Sequence, residues 1–196
     1  MINSIAIFCG SSMGNDPIYA EHAAAVGTAI AQAGKTLVYG GGHAGLMGVV
    51  ADHALKAGGK VIGVMPKLLV DEELAHPNLT ELHIVENMSE RKQRMSELSD
   101  AFIALPGGAG TLEEIFEQWT WLQLDIHKKA CAFLNVSDFY TDLIRFLERT
   151  VNSGFTQPRF VKKLVVADQI DDILQQFENY IPPEPKWTLF ESVDGK

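Results

Sequence analysis

Short apolar runs alternate along the chain with longer stretches of helical period. The runs at 5–8, 36–39, 61–65, 82–85, 101–105, 130–134 and 164–166 carry Val, Ile, Leu and Phe on consecutive positions. Apolar residues without alternation, over so few positions, predict strands covered on both faces. Between them, 18–32, 46–56, 88–99, 112–124, 139–152 and 170–180 predict helices. Stop signals agree: Gly34 follows the first helix, Gly58 and Gly59 the second, and Gly154 the fifth. Such β–α alternation predicts an α/β fold, a doubly wound, mostly parallel sheet with helices on both faces. The stretch 67–80 has no strong period and predicts a loop over the sheet edge. Residues 1–181 then form one domain, and Pro182-Pro183-Glu184-Pro185 opens an extended tail over 182–196. Trp187, Leu189 and Phe190 in that tail are apolar enough to dock, for instance on a second subunit.

Length and charge narrow the partners. A chain of 196 residues suits one large α/β domain with a sizeable core. The net charge is -9 and no Lys/Arg-rich run exists, so a nucleic-acid polymer is an unsuitable partner. Small phosphorylated ligands stay open, because a local pocket can differ from the mean. Cys9 and Cys131 sit in or beside apolar runs and make no disulfide framework, which fits a reduced, cytoplasmic setting. The start of the chain lacks a basic lead, a long apolar stretch and a small-residue cleavage site. No apolar run approaches the ~20 residues that span a bilayer.

In an open α/β sheet, ligands bind outside the carboxyl ends of the strands. Three of those places are glycine-rich. The loop Pro106-Gly107-Gly108-Ala109-Gly110-Thr111 follows a strand and opens a helix. Glycines let backbone N–H groups approach a ligand, and the helix start favours an anion by ~0.3–1 kcal/mol. Thr111 can add its hydroxyl. A tight turn capped by Thr111 is the alternative, but three glycines in four residues exceed what a turn needs. The run Gly40-Gly41-Gly42-His43-Ala44-Gly45 matches the dinucleotide pattern G-x-G-x-x-G. It follows the second strand, and Met65-Pro66 stands where that pattern needs an acid, so NAD is disfavoured. Gly41 and Gly42 remain one wall of a nucleotide pocket, with Ser11 and Ser12 after Gly10 as another. The P-loop ending in Gly-Lys-Ser/Thr is absent.

Charged residues flank these loops. Asn87 with Glu90 reads as a capping box that starts the helix carrying Arg91 and Lys92. A cation in a first helical turn opposes the helix dipole, which points to another task for Arg91, such as a phosphate or ribose edge. Glu113 and Glu114 read as first-turn residues of the helix after the glycine loop, with Glu114 able to cap Thr111. A carboxylate beside a phosphate loop also suits glycosidic chemistry, where departure of a base leaves positive charge on the ribose. The six His show no metal-ligand spacing, and no G-x-S-x-G elbow exists.

Met88-Ser89-Glu90-Arg91-Lys92 together with Pro106-Gly107-Gly108-Ala109-Gly110-Thr111-Leu112-Glu113-Glu114 resembles the LONELY GUY (LOG) family. These are cytokinin riboside 5′-monophosphate phosphoribohydrolases and bacterial relatives. The motif P-G-G-x-G-T-x-x-E is met in full, and the resemblance runs from Ile5 to about Tyr180. It implies a Rossmann-like fold, a homodimer with its active site near the subunit boundary, no cofactor and no metal. It puts the catalytic pair on Arg91 and Glu114, the substrate-contacting Arg-Lys pair on Arg91 and Lys92, and the phosphate loop on Gly108 through Thr111. A further family Glu falls on Glu73. Relatives have often been labelled lysine decarboxylases, but no lysine here stands in a cofactor-linking context. The implied reaction is hydrolysis of a purine riboside 5′-monophosphate to free base and ribose 5-phosphate. The rivals are a non-catalytic nucleotide carrier or sensor, which needs neither Arg91 nor Glu114, and an NAD-dependent oxidoreductase.

Overall fold

Successive side chains of a strand point to opposite faces, so a strand apolar at every position needs cover on both. In the computed structural model, which describes residues 1–72 and 74–189, β1 (Ser4–Phe8) meets that need. Ile5 and Ile7 enter one core, and Ala6 and Phe8 the other. The same split recurs in β5 (Ala101–Ala104), with Ala101 and Ile103 against Phe102 and Ala104. It recurs again in β6 (Ala130–Leu134), with Ala130, Ala132 and Leu134 against Cys131 and Phe133.

The remaining strands are β2 (Thr36–Tyr39), β3 (Val61–Pro66), β4 (Glu81–Val85) and β7 (Val165–Ala167). Together they form a seven-stranded sheet in the order β4-β3-β2-β1-β5-β6-β7. Every pairing is parallel. Helices α1 (Pro17–Gln32), α2 (Gly45–Lys56) and α8 (Ile170–Glu178) supply the first core. The second is closed by α4 (Met88–Glu97), α5 (Ala109–Gln123), α6 (Thr141–Asn152) and α7 (Pro158–Lys162). Local chemistry sets the ends: Asp16 accepts the N–H of Ile18 at 3.0 Å and Pro17 fills the first helical position of α1. Gly34 closes α1 with φ of 68°, the left-handed conformation that costs glycine nothing.

The expected α/β architecture is present, with differences at short elements. The stretch 67–80 is not all loop. It opens with α3 (Lys67–Asp71), held by a Lys67–Asp71 pair at 2.9 Å, and Ala75 bridges to Gly42. Five residues are too few to show a period. Helix α7 has the same length. The tail is extended only in part: Lys186–Leu189 form a 3₁₀ turn, Arg159 Nη2 donates to the carbonyl of Pro185 at 2.8 Å, and Trp187 is 53% exposed. Phe190 lies outside the described residues. No helix among the described residues is long and apolar enough to cross a membrane.

From β1 the chain winds outward through β2, β3 and β4. It then returns by α4 to β5 on the other side of β1 and winds outward again. The two directions part between β1 and β5, which leaves a crevice at the carboxyl ends of those strands.

The packing that holds this crevice is close. A Cβ on Gly27 of α1 would stand 2.2 Å from the carbonyl oxygen of Val50 and 2.9 Å from the nitrogen of Ala54, both in α2. Gly27→Ala should therefore force α1 and α2 apart at a cost of about 1–3 kcal/mol. The expected readout is a lower urea midpoint with an unchanged slope. A wild-type midpoint would show that the helices do not need this approach.

Candidate active site

The crevice is tied together by backbone. The N–H of Gly10, after β1, donates to the carbonyl of Pro106, after β5, at 3.1 Å. Gly10 in turn accepts from Leu46 of α2 at 3.1 Å. Between these loops lies a cleft of about 360 Å³. Ser11 and Ser12 form one wall, and Pro106, Gly107 and Gly108 the other. Gly45 fixes the serine wall: a Cβ there would stand 2.3 Å from the carbonyl carbon of Ser11. Met13, Tyr19 and Phe139 make an apolar end, where the rings of Tyr19 and Phe139 meet edge to face at 5.7 Å.

Helix α5 opens onto this cleft. Its N-cap is Gly108, and no side chain caps it. The glycines of the loop differ in kind. A Cβ on Gly107 would stand 2.1 Å from Thr111 Oγ1 and 2.9 Å from the nitrogen of Gly10, so the chain's own packing demands glycine there. A Cβ on Gly108 or Gly110 would meet nothing within 4 Å, and neither residue has positive φ. Nothing among the described residues asks for glycine at those two places. Bare backbone there, with Ala109, leaves the exposed N–H groups of an uncapped helix start open to an anion.

Two sequence expectations fail at this helix. It begins at Ala109, so Thr111 is its third residue, and Glu113 and Glu114 stand beyond its first turn. The Thr111–Glu114 capping box does not form. Thr111 is buried with its hydroxyl packed at Gly107, and Glu114 turns toward α4.

There Glu114 Oε1 accepts from Arg91 Nη1 at 2.7 Å. Arg91 Nε donates to the carbonyl of Val64 in β3 at 3.1 Å. The guanidinium lies on bare backbone, since a Cβ on Gly40 would stand 1.9 Å from Nη2. Both side chains are nearly buried, 11% and 10% exposed. Burial pushes the Glu114 carboxyl up, the Arg91 cation pulls it down, and burial prevails. The short ion pair alone would suggest the reverse, but few waters remain to solvate the carboxylate. Cys9 lies close by, and burial first, then the Glu114 charge, drives its thiol far up, so it is a neutral packing group.

The rest of α4 follows its local chemistry. Asn87 accepts the N–H of Glu90 at 2.9 Å, so it is the cap expected. The return arm differs: Glu90 takes the N–H of Glu86 at 3.0 Å instead of that of Asn87. Lys92 bonds Glu113, and also Glu117 Oε1 at 3.1 Å. The Glu113 bond is the main reason the Lys92 ammonium is pushed up.

The structure thus brings Ser11, Ser12, Gly107 and Gly108 to one cleft, with Ala109 and Gly110 beside it. Arg91 pairs with Glu114, and Lys92 with Glu113. Gly41 and Gly42 are buried, the first against Met65 and Leu82 and the second against Met47. Neither lines the cleft between the serine and glycine loops. Glu73 lies outside the described residues. Sequence reasoning missed Met13, Tyr19, Phe139 and Glu117. Phe139 follows β6 and could have been found by the strand-end rule; Ser137 and Asp138, both at positive φ, make the turn that presents it. Among the described residues no group of His, Cys, Asp and Glu could hold a metal.

Comparison with known proteins agrees with this motif. The family model described as "Possible lysine decarboxylase" matches residues 47–177. A cytokinin riboside 5′-monophosphate phosphoribohydrolase of Arabidopsis thaliana is 42% identical over 182 residues, covering 93% of this chain and 85% of the relative. One of Rhodococcoides fascians is 44% identical over 169 residues, covering 86% and 85%. Among solved structures, the molybdenum cofactor binding protein of Rippkaea orientalis superposes with a TM-score of 0.70 at 20% identity, covering 91% of this chain and 97% of that one. That likeness shows the fold alone.

The buried pair has a consequence for stability. A carboxyl whose folded pKa is raised above its ordinary 4.5 contributes fully in acid. That contribution is lost as pH rises through the ordinary range to the raised folded value. Glu114→Gln cannot ionise and escapes the loss. Urea unfolding should find the variant matching the wild type in acid and exceeding it at neutral pH. A variant less stable at neutral pH than in acid, relative to wild type, would reverse the balance assigned to burial and Arg91.

Proposed function

The chain belongs to the LONELY GUY (LOG) family, and we propose that it hydrolyses the N-glycosidic bond of purine riboside 5′-monophosphates, adenosine or N6-modified cytokinin type. The products are the free base and ribose 5-phosphate. The observation that carries this reading is the buried Arg91–Glu114 pair beside an uncapped, glycine-opened helix start.

The 5′-phosphate sits on the N–H groups from Gly108 to Gly110, helped by the partial positive charge of α5. Gly107 and Thr111 shape that turn from below. Ser11 and Ser12 face the same ligand, while Gly41 and Gly42 hold the loop that carries Gly40 against Arg91. Lys92 and Glu113 contact the substrate's outer edge. As the bond from C1′ to the base breaks, the ribose gains positive charge. Glu114 stabilises that charge or orients the water whose oxygen bonds C1′, and the departing base takes a proton. Arg91 holds Glu114 in place and grips the ribose phosphate. Carboxylate and cation are fixed before substrate arrives, so little reorganisation is left for the reaction. A carrier or sensor would need the anion seat but no buried Arg–Glu pair.

The protein works as a cytoplasmic homodimer in this reading. Ile84 on edge strand β4 and Met88 at the start of α4 are 56% and 47% exposed, apolar surface that a second copy would cover.

Glu114→Gln should lower release of base from AMP and from its N6-isopentenyl analogue by ~10²–10⁴-fold, the usual share of a positioned acid or base. Adenosine lacking the phosphate should react poorly even at saturation, since remote binding energy is withdrawn from the transition state. Chromatography of the free base reads both. Near-normal turnover by Glu114→Gln would end the assignment.

A further inference from the structure

The segment after α3 is fastened over the Gly40–Gly42 loop at several points. The N–H of His43 donates to the carbonyl of Leu74 at 3.3 Å, and Ala75 bridges Gly42. The N–H of His76 donates to the carbonyl of Gly41 at 2.8 Å. The segment ends at β3, where Thr80 N–H donates to Val61 and Thr80 Oγ1 accepts from the Val61 N–H, each at 3.0 Å.

The His76 imidazole is the side chain that crosses this strap. It is 6% exposed, which is rare for a histidine in a connection between strands. Its Nδ1 accepts the N–H of Asn78 at 3.2 Å. In the neutral ring the proton therefore lies on Nε2, which donates to Asp52 Oδ1 of α2 at 3.0 Å. One arm shapes the strap, and the other ties it to α2, a helix of the first core. Asp52 itself is 67% exposed, so the pair reaches from the buried imidazole to the surface.

What the strap presses on is the floor of the site. Gly40 gives the Arg91 guanidinium its space, and Gly41 accepts from His76. Movement of that loop by a fraction of an ångström would shift Nη2, and with it the bond to Glu114. We infer that His76 is a positioning residue. Held by Asp52, it fixes the Gly40–Gly42 loop and so the place of the Arg91–Glu114 pair. The inference rests on the hydrolase reading for its effect on turnover, but not for its effect on Arg91.

Two readouts separate those levels. In His76→Ala, kcat for base release from AMP should fall by about 10–10²-fold while KM changes little, as displacement of a catalytic group predicts. His76→Gln keeps a donor near the Nε2 position, and Asp52→Asn keeps the acceptor oxygen. Both should retain most of kcat, whereas Asp52→Ala should lose part of it. The second readout needs no substrate. The Arg91 Nε–H resonance, identified by its loss in Arg91→Lys, should shift or broaden in His76→Ala and stay in place in Asp52→Asn. An unmoved resonance in a folded His76→Ala protein would overturn the inference, as would a kcat equal to wild type. Equal losses in Asp52→Asn and Asp52→Ala would overturn the hydrogen-bond arm. If the wild type releases no base, the hydrolase reading fails and the resonance still decides the role of His76. If His76→Ala does not fold, Asp52→Ala carries the same test through the same resonance.

Discussion

An arginine and a glutamate, both almost out of water, share one short hydrogen bond between α4 and α5. Taking two charges out of solvent costs several kcal/mol each before their attraction is counted. The pair persists only because its surroundings leave no better arrangement. Val64 occupies Nε, Gly40 removes the one Cβ that would collide with Nη2, and α5 aims Glu114 at Nη1. Residues from β3, the end of β2, α4 and α5 must all be in register for this to hold. The topology supplies that register, because β2, β3 and β5 end on the same edge of a parallel sheet.

That dependence sorts the glycines by task. Gly40 and Gly107 are required by the protein's own atoms: one clears Arg91, the other clears Thr111 and Gly10. No described residue would meet a Cβ on Gly108 or Gly110. At an exposed helix start this leaves bare backbone open, the feature on which the proposed phosphate site rests. The anion seat and the ion pair thus rest on opposite uses of the same residue type, and α5 carries both, one at its first turn and one beyond it.

Much of the fold could be read from the chain because its strands are apolar at consecutive positions and three of its longer helices, α1, α2 and α6, end on glycine. All seven strands and the six long helices lie where the pattern puts them, within a few residues. The short helices α3 and α7 could not be read, since five residues carry no period. The site was legible as a set of loops and less so as contacts. The spacing of Thr111 and Glu114 satisfies a capping rule, yet the helix starts earlier because Gly108 can serve as N-cap by backbone alone. That frees Glu114 for Arg91. Likewise Gly41 and Gly42 match a dinucleotide-binding pattern but are spent on packing against Met65, Leu82 and Met47. Sequence spacing gives local options, and a partner far along the chain selects among them. His76, opposite Asp52 across 24 positions, left no local signature at all.

The same constraint separates catalysis from mere binding. Stability gains little from a carboxyl that burial drives toward its neutral form against the pull of an adjacent guanidinium. A fold selected only for holding a nucleotide could fill that corner with apolar side chains of similar volume and lose nothing of the anion seat at Gly108–Gly110. Keeping a charge there makes sense where charge of the other sign develops during a reaction, because a fixed carboxylate in a water-poor corner acts on it with little screening. A sugar losing its base develops such charge at C1′, and the proposed phosphate seat lies on the same helix as Glu114. The features that cost stability and the features that bind an anion therefore converge on one sugar phosphate.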